Sequence, residues 1–148
     1  MNLIDYKKAS LKYAPLEIFE AGIELTGAEV KALRNKMGSL EGARVLVRGG
    51  EAFLVGMTIP PYQTANTPKN YDPTRTRRLL LTKREIMLLA DAEAKKGLTL
   101  IPLSVYNAHG LIKAKVAIVR GKNKADKRED IKKREAKREA ERALKRQR

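Results

Sequence analysis

Between Leu16 and Leu25 the chain is apolar with Gly22 set inside it, the pattern of a strand carrying a bulge. Thr26 and Glu29 stand three apart, as in a capping box that opens a helix. Val30, Leu33 and Met37 give that helix a buried stripe, and Gly38 ends it. Ala43, Val45 and Val47 alternate with Arg44, Leu46 and Arg48, the period of a half-buried strand. Gly49-Gly50 follows as a two-residue hairpin turn. Phe53, Val55, Met57 and Ile59 are the expected inner face of the returning strand, which Pro60-Pro61 stops. Residues 62–78 are rich in Pro, Asn and Thr without periodicity and predict a long loop.

Thr82 and Glu85 repeat the capping box and open a helix through Ile86, Leu89 and Ala90 to Gly97. Leu98 to Val105 reads as a strand, with Pro102 at an edge or a bulge. Asn107 to Gly110 is a turn. Ile112, Ala114, Val116 and Ile118 then alternate with Lys113, Lys115 and Ala117, which predicts a last strand with a basic outer face. Several short strands and two helices that do not alternate as βαβ units favour a small antiparallel barrel with packed helices over a parallel sheet. The expected domain spans residues 1–120.

Residues 121–148 break this pattern. They hold 13 Lys and Arg against 6 Asp and Glu, for +7, and only Ile131 and Leu144 are large and apolar. Such a segment cannot bury enough surface to offset its ordering entropy. It carries helical signals all the same. Asp126 and Glu129 have capping-box spacing, and Glu129–Lys133, Asp130–Arg134 and Glu141–Lys145 are acid-then-base pairs four apart. The expectation is a basic tail, disordered when free, that becomes helical against a polyanion.

Charge narrows the function. The chain has 148 residues with 32 Lys and Arg against 17 Asp and Glu, a net charge of +15. Nucleic acid is the usual partner of such a field. No segment offers the apolar face of an interfacial helix, and none approaches the roughly 20 apolar residues that span a bilayer. The expectation is a soluble cytoplasmic protein with no membrane partner. There is no cysteine and one histidine, His109, so Cys and His metal sets and thiol chemistry are excluded. Neither a phosphate-cradling nor a dinucleotide glycine motif is present. Asp72 stands without a nearby acid. No cofactor, metal, small-molecule substrate or catalytic residue is expected. Arg75, Arg77 and Arg78 cluster at the end of the long loop, just before the second helix, and arginine forks phosphate and stacks on bases. Lys113, Lys115, Arg120 and Lys122 extend a second basic stripe, and Tyr62, Tyr71 and Tyr106 lie near these charges as candidate stacking platforms.

Four strings then carry a resemblance. They are Phe19-Glu20-Ala21-Gly22 with Gly27 to Arg34, Asp72 to Leu81, Lys96 to Leu103, and Gly121-Lys122 with Asp126 to Lys132. In this order they resemble the SsrA-binding protein (SmpB) family over nearly the whole chain. Departures are Tyr6 where the family often has Asn, Ala28 for Thr or Trp, Thr82 for Asn or His, Asn123 in the basic doublet, and Ala125 at a position often Tyr or His.

The resemblance implies a mainly β fold with α: a small antiparallel OB-like six-stranded barrel with packed helices and a basic C-terminal tail. It implies a monomer without enzymatic activity. Such a protein binds the tRNA-like domain of tmRNA and delivers it to stalled ribosomes for trans-translation. The tail would probe the empty mRNA channel beside 16S rRNA. Carried over residue by residue, Glu20 and Leu80 match positions that hold the RNA. Lys31, Arg34, Lys113, Arg120 and Lys122 match basic positions of the RNA-contacting motifs. Asp126, Lys127 and Arg128 match the tail motif needed on the ribosome, which Ile131, Lys132, Lys133 and Arg134 continue. The alternative from charge alone is a basic ribosomal or ribosome-assembly RNA-binding protein.

Overall fold

The computed structural model describes residues 2–63, 68–121, 132 and 134–143. Their elements run β1 (Asn2–Asp5), α1 (Ala9–Lys12), β2 (Tyr13–Ile23), α2 (Gly27–Arg34), β3 (Arg44–Arg48), β4 (Glu51–Val55), β5 (Arg77–Leu80), α3 (Lys83–Glu93), β6 (Leu98–Ala108) and β7 (Leu111–Gly121). Residues 132 and 134–143 are helical and exposed. The fold is mainly β with helices packed on it, as expected, but the strand count differs. Seven antiparallel strands form one sheet in the order β1-β6-β7-β2-β5-β4-β3. It curls until β3 lies against β6, and among the described residues no ladder joins its two edges.

The capping boxes and the hairpin turn form as predicted, but α2 ends at Arg34, before the Met37 and Gly38 expected to complete it. Thr26 Oγ1 accepts from the Glu29 amide at 3.3 Å while Glu29 Oε1 accepts from the Thr26 amide at 2.8 Å. Thr82 and Glu85 make the same reciprocal pair at 3.2 and 3.0 Å. Gly49 and Gly50, both at positive φ, close the β3–β4 hairpin. Ile112, Ala114, Val116 and Ile118 are buried together with Phe19, Ala21, Ile23, Leu54 and Leu79, so the concave face of the sheet is the core.

Four expectations are corrected. The bulge in β2 falls between Pro15 and Glu17 instead of at Gly22, and Leu16 is the extra residue. The buried face of β4 is Ala52 and Leu54, because Gly56 at φ +80 ends the strand and slips the phase by one before Met57 and Ile59. The turn expected at 107–110 is shorter, since β6 runs to Ala108 and His109-Gly110 alone make the turn, both at positive φ. The end of the long loop is the strand β5, four residues whose two arginines hide its period. Two elements, β1 and α1, lack a sequence signal because each is only four residues long. Pro102 sits at a bulge, between Pro102 and Ser104.

Candidate nucleic-acid interface

Register decides which side chains share the convex face. Gly22 of β2 pairs with Lys113 of β7 on one side and Leu80 of β5 on the other, and Lys113 pairs in turn with Tyr106 of β6. One row across four strands therefore reads Leu80, Gly22, Lys113, Tyr106. The next row reads Glu20, Lys115, Ser104. Residues directly opposite in a ladder point to the same face. Leu80 is 48% exposed, and Glu20 and Lys115 are exposed beside it. A Cβ on Gly22 would stand 3.2 Å from Leu80 Cβ, so the glycine is the space in which Leu80 lies. Three stretches far apart in sequence thus put a leucine, a carboxylate and two lysines on one surface.

The arginines of the second motif divide. Arg77 and Leu79 face inward while Arg78 and Leu80 face outward. Arg77 is fully buried: its Nε donates to Glu29 Oε2 at 2.7 Å, and its other nitrogens donate to the carbonyls of Met57 at 2.9 Å and Pro73 at 3.1 Å. It was expected on RNA. With its surface inside the core and its donors engaged by Glu29 and two carbonyls, it is a core residue instead. Arg75 is spent largely on the same cluster, through Glu29 at 2.7 Å and the Glu24 carbonyl at 3.2 Å. Arg78 stays on the outer face, held between Glu24 at 3.3 Å and Glu51 at 3.1 Å. Burial pushes the Glu29 carboxyl up, but hydrogen bonds from Arg75, the Thr26 amide and Arg77 together hold it below the usual carboxylate value.

Lys31 and Arg34 are exposed on α2. Arg34 donates to the Gly110 carbonyl at 3.1 Å, which ties the end of α2 to the β6–β7 turn, three residues from Lys113. Arg120 breaks the expected basic stripe. It is exposed but pairs with Ala14 and Leu98 at the far end of β7, about 23 Å from Lys113, on the opposite parity of the strand. Ala117 and Val119 lie between on the convex side and are buried, and Val119 lines a cleft with Tyr6, Ala9 and Tyr13.

Of the candidate stacking tyrosines, Tyr62 is exposed. Tyr71 is committed by its hydroxyl, which donates to the Ile59 carbonyl at 2.6 Å. Tyr106 is buried to 9% exposure and offers no ring face to a base. Asp72 accepts from the amide and hydroxyl of Thr74, an ordinary turn contact. In the tail, Lys132 and Arg134 are exposed, and Arg134 donates to the Ser10 hydroxyl of α1. Lys122, Asp126, Lys127, Arg128, Ile131 and Lys133 lie outside the described residues.

Comparison with known proteins gives this geometry a family. The model of the SmpB protein family matches residues 3–146. The SsrA-binding protein of Thermosipho africanus (strain TCF52B) is 48% identical over 143 residues, covering 96% of this chain and 95% of its own. That of Synechococcus sp. (strain JA-2-3B'a(2-13)) is 46% identical over 144 residues, covering 97% and 94%. A solved chain described as "tmRNA-SmpB: a journey to the center of the bacterial ribosome" superposes with a TM-score of 0.68 at 37% identity, over 86% of this chain and 93% of that one. With seven strands in place of six but the expected motifs in the expected order, this chain belongs to the SmpB family.

Proposed function

We propose that this protein binds the tRNA-like domain of tmRNA through the convex face of its sheet. It delivers that RNA to stalled ribosomes for trans-translation and does no chemistry of its own. Its relatives are SsrA-binding proteins, and its structural neighbour is described with tmRNA at the bacterial ribosome. The observation that carries the siting is the row in which Leu80, Gly22 and Lys113 adjoin Glu20 and Lys115.

Each group has a separate task on that face. Lys113, Lys115 and Arg78 supply the sequence-independent attraction to phosphate. Glu20 cannot be drawn to phosphate, so it accepts from a base amino group or a 2′-hydroxyl, and only a correctly shaped RNA provides that donor there. Leu80 gives an apolar contact beside it. Lys31 and Arg34 continue the basic surface along α2, and Arg120 begins a second one where the tail leaves β7. The tail enters the empty mRNA channel. Residues 134–143 suit this, since their exposed helix carries both charges and no large apolar side chain that a protein core would need. That work lies in the cytoplasm, where the ribosomes are.

Deleting residues 122–148 tests the division of labour, because β7 ends at Gly121 and keeps its full ladder. The shortened protein is expected to fold and to bind tmRNA, but to lose tagging in a reconstituted stalled-ribosome assay. Full tagging without the tail would overturn its assignment.

A further inference from the structure

Tyr106 lies on the convex face, on β6, yet its hydroxyl is buried with no hydrogen-bond partner among the described residues. Buried polar groups are nearly always paired, so an orphan asks for a reason. The register supplies the setting. Tyr106 pairs with Lys113, one step along β7 from Lys115, and Lys115 pairs with Glu20 on the far side. Tyr106 and Glu20 are therefore two strands apart, about 10 Å across the ladder. The tyrosine ring reaches into that gap beneath Lys115. Lys115 Nζ sits 5.8 Å from the ring centroid, so the ring lies beneath the ammonium, and the Glu20 carboxylate is near enough to act on the phenol without closing a hydrogen bond to it. Burial, and next the Glu20 charge, push the phenol pKa up, so the hydroxyl keeps its proton and remains a donor.

We propose that Tyr106 is a positioning residue for Glu20: in the RNA complex its hydroxyl donates to the Glu20 carboxylate and fixes the outward oxygen that accepts from the RNA. Lys115, freed from the ring, takes a phosphate. The proposal rests on the assignment of RNA binding to this face. Its physical content is preorganisation. A carboxylate on an exposed strand loses rotamer freedom when RNA binds, and a buried donor that selects one orientation lowers that cost. It also accounts for the orphan, because the hydroxyl is held where Glu20 can turn to meet it.

Tyr106→Phe isolates the hydroxyl, since it keeps the ring, its packing and the Lys115 contact. The full-length protein, Tyr106→Phe, Glu20→Ala and the double variant are each titrated with the tRNA-like domain of tmRNA and with random RNA of equal length. Their thermal midpoints are measured alongside. Tyr106→Phe is expected to lower the ratio of the two affinities about tenfold, the effect of one hydrogen bond to a charged group. Its midpoint should be equal to or above that of the parent, because removing an unpaired buried hydroxyl costs the fold nothing. In the Glu20→Ala background the same substitution should change nothing. An unchanged ratio in Tyr106→Phe, with a reduced one in Glu20→Ala, would overturn this inference and leave the face assignment standing. Additive losses, or a lowered midpoint that accounts for the loss, would also overturn it. If neither variant changes the ratio, the face assignment falls and the inference falls with it.

Discussion

Arg77 and Glu29 meet in the core at 2.7 Å, with 0% and 1% of their side chains exposed. The pair joins the first turn of α2 to β5, and through the Met57 and Pro73 carbonyls it also holds the segments between them. β5 carries Arg78 and Leu80 on its other face, so the buried pair fixes the strand that presents part of the proposed RNA surface. Removing one member of a buried ion pair leaves an uncompensated charge and costs several kcal/mol.

Glu29→Gln makes this measurable, because glutamine keeps the shape of the side chain while it removes the charge and turns one of the two accepting oxygens into a donor. Burial raises the Glu29 pKa, but Arg75, the Thr26 amide and Arg77 outweigh it, so the folded value lies below the unfolded one. A depressed carboxyl pKa contributes stability that is full above the unfolded value, near 4.5, and is lost as pH falls through the folded value. Urea unfolding should therefore place Glu29→Gln about 3 kcal/mol below the parent at neutral pH. The gap should close toward acid. A gap of equal size at low pH would contradict the ionised pair.

Gly22→Ala tests the seat of Leu80. Gly22 is at ordinary strand φ, so alanine brings no backbone strain, but its Cβ would press on Leu80 at 3.2 Å. Overpacking of this kind costs about 1 kcal/mol, and on a domain of this size that lowers the thermal midpoint by about 2–4 °C. The larger effect is expected in binding: affinity for the tRNA-like domain should fall as far as it does in Leu80→Ala. Unchanged affinity would mean that Leu80 does not touch the RNA.

Lys113 and Glu20 should separate by salt. A lysine on a phosphate contributes about one unit to the slope of log affinity against log salt, alike for all RNAs. Lys113→Ala should weaken tmRNA and random RNA together and flatten that slope. Glu20→Ala should weaken the tRNA-like domain selectively with the slope unchanged. A salt-titrated binding series on both variants checks this, and equal weakening of both RNAs by Glu20→Ala would remove its role in recognition.

What the sequence made legible follows from range. The Thr26–Glu29 and Thr82–Glu85 boxes, the Gly49-Gly50 turn and the alternation of β7 are set by residues within a few positions of each other, and each formed as read. Arg77 and Arg78 show the other side. They are chemically identical neighbours, and only the pairing of Leu54 with Arg77 and of Phe53 with Arg78 sends one inward and one outward. The strand holding them is four residues long, too short to declare its own period. The β4 phase is hidden for a related reason, since a slip at one glycine exchanges inner and outer faces for everything beyond it. The family motifs single out Glu20 and Leu80 as positions that hold the RNA; both are exposed, and their sharing a face with Lys113 and Lys115 is a product of register. Tyr106 offered only its proximity to charge, which suggested stacking; the ring instead lies beneath Lys115.

The central claim is that this face recognises the shape of one RNA beyond its charge. The most direct measurement is a competition gel shift near physiological salt, with labelled tRNA-like domain of tmRNA bound by the full-length protein and excess unlabelled tRNA or random RNA added. The account predicts a complex that survives a large excess of either competitor. Loss of the complex at comparable competitor concentration would leave only counterion release, contradict shape recognition, and favour a general basic RNA-binding protein of the ribosome.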